Sequence, residues 1–155
     1  MNPVLTLRDA TRADLPQLAA LYEAAGLDDA GSHTATTLAA AWDRLQREAP
    51  TARVLIAERD GVPLGTLTCF VLPLLLHGGA PAALVEGVAV HPDAQGSGIG
   101  RALMDAAMTI ARSHGCYKLA LSSNRRREAA HAFYERLGYQ RHGVSFVVTP
   151  KEHLS

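Results

Sequence analysis

Apolar and polar residues alternate through Val4–Arg8, "VLTLR", which predicts a short strand. The period then changes: in "TRADLPQLAALYEAAG" Leu15, Leu18, Ala19 and Tyr22 share one helical face, and Gly26 marks a stop. A second helical pattern runs from Thr36 to Glu48 through Leu38, Trp42 and Leu45. "ARVLIAERDGVPLGTLTCFVLP" predicts two strands joined by a tight turn at Asp60-Gly61. "AALVEGVAV" predicts another, closed by His91-Pro92. Helical spacing returns with Ile99, Leu103, Ala106, Ala107 and Ile110, up to Gly115. "CYKLALSS" reads as a strand, and "RREAAHAFYERLG" as a helix with Ala130, Phe133 and Leu137 inward and Gly138 as its stop. "YQRHGVSFVV" predicts one or two closing strands.

This order predicts an α/β protein with a mixed sheet covered by helices, in a single domain over residues 1–155. The length supports one core, and 48% hydrophobic residues place the chain among globular proteins. Fifteen basic and fifteen acidic side chains cancel, so charge gives no reason to expect a nucleic acid partner. Small molecules are the better expectation. Cys69 and Cys116 stand far apart in apolar runs and read as core residues. The N-terminal "MNPVLTLRDA" carries no charged-then-apolar leader, and "FVLPLLL" from Phe70 to Leu76 is too short to span a bilayer. Together these predict a cytoplasmic protein without a membrane partner. No pair of histidines has metal-ligand spacing, so no metal is expected.

Three glycines alternate in "QGSGIG", at Gly96, Gly98 and Gly100, between a strand and a helix. One glycine would suffice for a flexible turn. Three, each weakening a helix by about 1 kcal/mol relative to Ala, need a stronger reason. An anion supplies one, because backbone N–H groups at a helix start point outward and the helix dipole favours negative charge there. The stretch is not a P-loop, since Arg101 and Ala102 follow the last glycine. It is not a dinucleotide fingerprint either: the spacing is Gly-x-Gly-x-Gly, and "LALSS" holds no acid for a ribose.

"VAVHP" followed by "QGSGIG" resembles the Gln/Arg-x-x-Gly-x-Gly/Ala signature of the GNAT superfamily of acyl-CoA-dependent N-acyltransferases. The likeness continues through Asn124 and "AHAFYERLGY" and covers roughly the second half of the chain. The resemblance implies a GNAT-like sheet, mostly antiparallel, of six to seven strands with four helices and a V-shaped splay between central strands. It implies acetyl-CoA as co-substrate, its pyrophosphate on the backbone of Gln95, Gly96, Ser97, Gly98, Ile99, Gly100 and Arg101. It implies a pantetheine arm pairing with the backbone of Val88, Ala89 and Val90 like an added strand, with Gly87 placed to form a bulge. A purely structural strand is compatible with the same residues.

Acyl transfer to an amine benefits from a base, an acid for the departing thiolate and an oxyanion donor. Glu86, a carboxylate in an apolar strand, is the base candidate, because burial would raise its pKa. Substrate binding, an arginine partner or a place on the solvent side would also account for it. The resemblance makes Tyr134 the acid and Asn124 a pantetheine contact, and it suggests the Val88 N–H as oxyanion donor. Without the motif, Tyr134 reads as an amphipathic edge residue and Asn124 as a cap for the next helix. His131 suits either an acceptor pocket or a structural bond, and Arg125-Arg126-Arg127 either a solvated helix start or an anion contact.

Asn124, Arg127, Ala130, His131, Phe133 and Tyr134 also resemble a subgroup that includes aminoalkylphosphonate acetyltransferases. A primary amine of a small molecule is therefore the expected acceptor. Protein or peptide N-acetylation, and a non-catalytic acyl-CoA-binding module, are the alternatives. Similar proteins often dimerise, so a homodimer is an expectation as well.

Overall fold

The computed structural model describes residues 3–150; Met1 and Asn2, which open the stretch read as leaderless, and residues 151–155 lie outside the described residues. The chain divides into two compact units, Met1–Leu121 and Ser122–Ser155.

The first unit runs β1 (Leu5–Asp9), α1 (Leu15–Ala24), α2 (Ala35–Glu48), β2 (Arg53–Arg59), β3 (Val62–Leu72), β4 (Ala82–Val90), α3 (Ile99–Ser113) and β5 (Leu119–Leu121). The five strands form one sheet in sequence order. The first three pairings are antiparallel and the last, β4 with β5, is parallel. A parallel pair needs a crossover, and α3 supplies it. The β2–β3 turn is as tight as expected: Asp60 and Gly61 both have positive φ, 50° and 75°, the backbone that matches the twist of a hairpin.

The helical periods produce the packing. Leu15 and Leu18 of α1 bury against Val54 and Ile56 of β2, and Leu38, Trp42 and Leu45 of α2 close the same cluster from outside. Ile99, Leu103, Ala107 and Ile110 form the buried stripe of α3, joined by Met104 and Ala111. Its first turn lies tight on β3 at Gly65: a Cβ there would stand 2.6 Å from Ile99 Cγ2 and 3.0 Å from Leu103 Cδ1. The bare backbone at Gly65 thus sets how low the start of α3 sits on the sheet. Cys69 is buried and Cys116 half-buried, and burial pushes both thiols up, away from the reactive thiolate.

In the second unit α4 spans Glu128–Arg136, with Ala130, Phe133 and Leu137 half-buried. The strands expected in "YQRHGVSFVV" do not form, and the sheet has five strands instead of six to seven. A strand requires a ladder partner. The described residues of this unit offer none, and Val144, Phe146 and Val147 are exposed.

The entry to α1 is held by charge. Arg8 of β1 grips Asp14 with both terminal nitrogens, at 2.8 Å each, and reaches Glu58 of β2 at 3.1 Å through Nε. Asp14 is buried and also accepts the Thr11 N–H at 2.7 Å. The Arg8 fork holds the Asp14 carboxyl well below the usual carboxylate range, with desolvation opposing. A depressed carboxyl contributes stability above its unfolded pKa of about 4 and loses it as the pH falls below that value. Asp14→Asn, which leaves Arg8 without its charged partner, should lower unfolding stability at pH 7 by about 2 kcal/mol in urea titrations. The difference between the two proteins should shrink as the pH drops below about 4.

Candidate active site

Strand β4 is paired unevenly along its two edges. On one side β3 follows it to Val90, but the register shifts between Thr66, opposite Ala89, and Thr68, opposite Glu86. One extra residue on β4 therefore stands opposite Leu67, and Gly87, at φ 62°, takes the left-handed backbone that such a bulge demands. On the other side β5 pairs only Ala83, Leu84 and Val85. From Glu86 onward that edge has no strand partner among the described residues, which is the splay that the family resemblance implies. Val88 and Val90 are half-buried and Ala89 is buried, so these side chains pack while the edge stays unladdered.

Glu86 sits one residue before the bulge, and its placement corrects one expectation. The pleat turns Val85 into the core and Glu86 outward, so the carboxylate is exposed and not buried. No ion pair holds it among the described residues. Behind the bulge, the ring of Tyr22 on α1 approaches Gly87, with Cε1 3.8 Å from where a Cβ would stand. Burial, and then the Asp28 carboxylate, push the Tyr22 hydroxyl above its ordinary value. Asp28 is hydrogen-bonded to His33 Nε2, and the His33 ring lies 6.4 Å from that of Tyr22. Helical spacing marked Tyr22 as a packing residue, but nothing in the sequence pointed to this grouping beside the bulge.

After β4 the chain makes a 3₁₀ turn, Pro92–Ala94, in which His91 Nδ1 accepts the Asp93 N–H at 3.2 Å. It then enters the glycine stretch. Gly96 and Gly98 have φ of 77° and 86°, which side-chain-bearing residues rarely adopt, and Gly98 is the N-cap of α3 without any side-chain cap. Gly100, by contrast, lies inside the first helical turn. The first intrahelical bond runs from the Ala102 N–H to the Gly98 carbonyl at 3.0 Å, so the amides of Ile99, Gly100 and Arg101 have no helical acceptor. Gln95, Gly96, Gly98 and Arg101 are exposed, while Ile99 is buried under the turn. The result is a short arc of outward N–H groups at the positive end of a 15-residue helix, suited to an anion.

The loop is held from below by contacts the sequence did not reveal. Ser97 Oγ donates to the Ala94 carbonyl, and the Ser97 carbonyl accepts an N–H from Arg59, at the end of β2, at 2.7 Å. Arg59 lies 38 residues away, beyond the reach of any local pattern.

In the second unit Tyr134 is half-buried on α4, edge-on to Phe133 at 5.2 Å and to Tyr139 at 6.0 Å. Burial raises its hydroxyl above the ordinary tyrosine value and Arg127 opposes the rise, so it is protonated at neutral pH and able to donate. Asn124 uses its side-chain oxygen to accept the Arg126 N–H at 3.0 Å, a turn-forming bond ahead of α4. His131 Nε2 lies 2.9 Å from the Asn124 carbonyl, which requires a proton on that nitrogen. The Asn124 bond does not cap α4, whose N-cap is Arg127, and His131 makes a structural bond of the kind the sequence left open. Arg125, Arg126 and Arg127 are exposed.

Elsewhere in the first unit an open hollow of about 290 Å³ lies between α1 and the β2–β3 turn, lined by Gln17, Leu21, Pro63 and His91 among others. None of the predicted site residues lines it. Among the described residues no three His, Cys, Asp or Glu side chains group as metal ligands, and no helix is long and apolar enough to cross a membrane.

Comparison with known proteins agrees with this geometry. A glucosamine 6-phosphate N-acetyltransferase of Trypanosoma brucei brucei is 33% identical over 100 residues, covering 64% of this chain and 66% of that protein. A rice (Oryza sativa subsp. japonica) protein described as a probable glucosamine 6-phosphate N-acetyltransferase is 30% identical over 119 residues, 74% of this chain and 70% of its own length. The crystal structure of a Trypanosoma brucei acetyltransferase superposes with a TM-score of 0.81 at 28% identity, over 94% of this chain and 99% of that one. The model of the acetyltransferase (GNAT) family matches residues 16–139, and the chain belongs to that family.

Proposed function

We propose that the protein transfers an acetyl group from acetyl-CoA to a primary amine of a small molecule. The observation that carries this reading is the arc of free amides at Gly98–Arg101, reached directly from a β4 edge that has lost its strand partner. A diphosphate suits the arc. An extended amide-bearing arm such as pantetheine suits the edge, where Val88, Ala89 and Val90 would take it as an added strand.

Glu86 removes the proton from the acceptor ammonium, directly or through water. With the carboxylate exposed, this role rests on its position beside the bulge. The amine nitrogen attacks the thioester carbon, the Val88 N–H accommodates the developing oxyanion, the C–S bond breaks, Tyr134 protonates the thiolate, and the second proton shed by the new amide nitrogen restores the tyrosine. The raised pKa of Tyr134 keeps its proton available at neutral pH. Amino sugar phosphates lead the candidate acceptors because the relatives above are named for glucosamine 6-phosphate.

The test is thiol release from acetyl-CoA across a panel of amino sugar phosphates, aminoalkylphosphonates, aminoglycosides, amino acids, polyamines and short peptides, with product masses. Turnover with one small-molecule class is the expected result; turnover with peptides alone would replace it. Gly98→Asp puts a carboxylate and a disfavoured φ into the arc, and should weaken CoA binding at least about tenfold by calorimetry. Tyr134→Phe should lower kcat about a hundredfold with little change in CoA affinity. Glu86→Gln should cost about as much near neutral pH and regain activity as rising pH deprotonates the free amine. A flat, wild-type profile for Glu86→Gln would remove it as the base.

A further inference from the structure

The arginines of this chain fall into two groups. Arg8, Arg12, Arg44, Arg47, Arg53 and Arg141 each face a carboxylate. Those without a carboxylate partner among the described residues are exposed, with one exception: Arg59 is half-buried. Arg59 donates a 2.7 Å bond to the carbonyl of Ser97, inside the glycine stretch. A half-buried guanidinium without a counter-ion is costly, so its location against this loop calls for a reason.

Peptide geometry provides one. The peptide unit between Ser97 and Gly98 is planar and trans, so its C=O and N–H point in opposite directions. An arginine that pulls the Ser97 carbonyl toward the end of β2 therefore aims the Gly98 N–H the other way. Gly98, with φ 86° and no Cβ, would otherwise be free to swing that plane. The second anchor, Ser97 Oγ on the Ala94 carbonyl, fixes the side chain of the same residue but leaves the plane itself unconstrained. Close packing of Ile99 and Leu103 on Gly65 then holds the helix start that follows. Arg59 also brings an unneutralised positive charge up behind the arc.

We propose that Arg59 is a positioning residue for the coenzyme's diphosphate: it orients the Ser97–Gly98 peptide so that the Gly98 N–H joins the anion-binding arc, and it supplies charge behind that arc. This rests on the phosphate reading of the glycine stretch given above. The residue acts through the backbone of Gly98 and takes no part in proton transfer.

The test is calorimetric titration of the full-length protein with CoA and with 3′-dephospho-CoA, together with the melting temperature of the unliganded protein. Arg59→Met removes both the donor and the charge and should weaken both ligands by about tenfold to the same extent, with the unliganded Tm held within a few degrees. Arg59→Gln keeps an N–H donor without the charge and should recover part of the affinity. Unchanged affinity in Arg59→Met overturns the proposal. So does a loss confined to CoA, which would place Arg59 at the 3′-phosphate. So does a large fall in Tm that Arg59→Gln does not repair, which would make the contact a plain structural tie. Gly98→Asp separates this from the underlying reading. If it weakens CoA while Arg59→Met does not, only the Arg59 assignment fails; if it too binds CoA like wild type, the phosphate reading fails with it.

Discussion

One extra residue in β4 sets the geometry of the candidate site. The bulge at Gly87 interrupts the regular ladder to β3, and the β5 pairing ends at Val85, two residues earlier. A strand hydrogen-bonded along both edges has no backbone left for a ligand. A strand free on both edges would not hold its position. Here β3 secures one edge as far as Val90 while the other is released from Glu86, so the exposed backbone is rigid. Gly87 tolerates the left-handed turn, and the Tyr22 ring packs beside it.

The helix that follows carries the arc of outward amides, and its position depends on contacts remote in sequence. Gly65 on β3 allows Ile99 and Leu103 to seat directly on the sheet. Arg59 at the end of β2 holds the Ser97 carbonyl. The three neighbouring strands β2, β3 and β4 therefore each contribute to one short loop. Their relative register comes from the hairpin at Asp60-Gly61 and the antiparallel ladder beyond it. The Arg8–Asp14–Glu58 network, whose Glu58 is the neighbour of Arg59 on β2, fixes where α1 begins.

Element order was legible because the apolar period changes cleanly between strands and helices, and α1, α3 and α4 end at or near the glycines that marked their stops. The closing strands were not. "VSFVV" has the composition of a strand, but a strand is a relation between two segments, and the described residues of its unit contain no partner. Glu86 was picked out by its chemistry, a carboxylate among apolar neighbours. Its exposure follows from the pleat and realises the solvent-side placement that residue type alone left open. His131 makes a local structural bond to the Asn124 carbonyl, and the Asn124 side chain forms a turn ahead of α4 without capping it.

The sequence by itself singled out the candidate residues and determined the local shapes they adopt: the glycine stretch, the bulge glycine, the tyrosine on a helix after a strand. Those features depend on steric and hydrogen-bonding limits within a few residues, and such limits are written in residue type and spacing. Tertiary structure alone decided that β4 loses one partner and keeps the other, that Glu86 faces outward, and that Arg59 reaches the loop from 38 residues away. Each of these depends on which segments become neighbours in space, and that is settled by burial of the whole apolar surface, not by any one stretch of it.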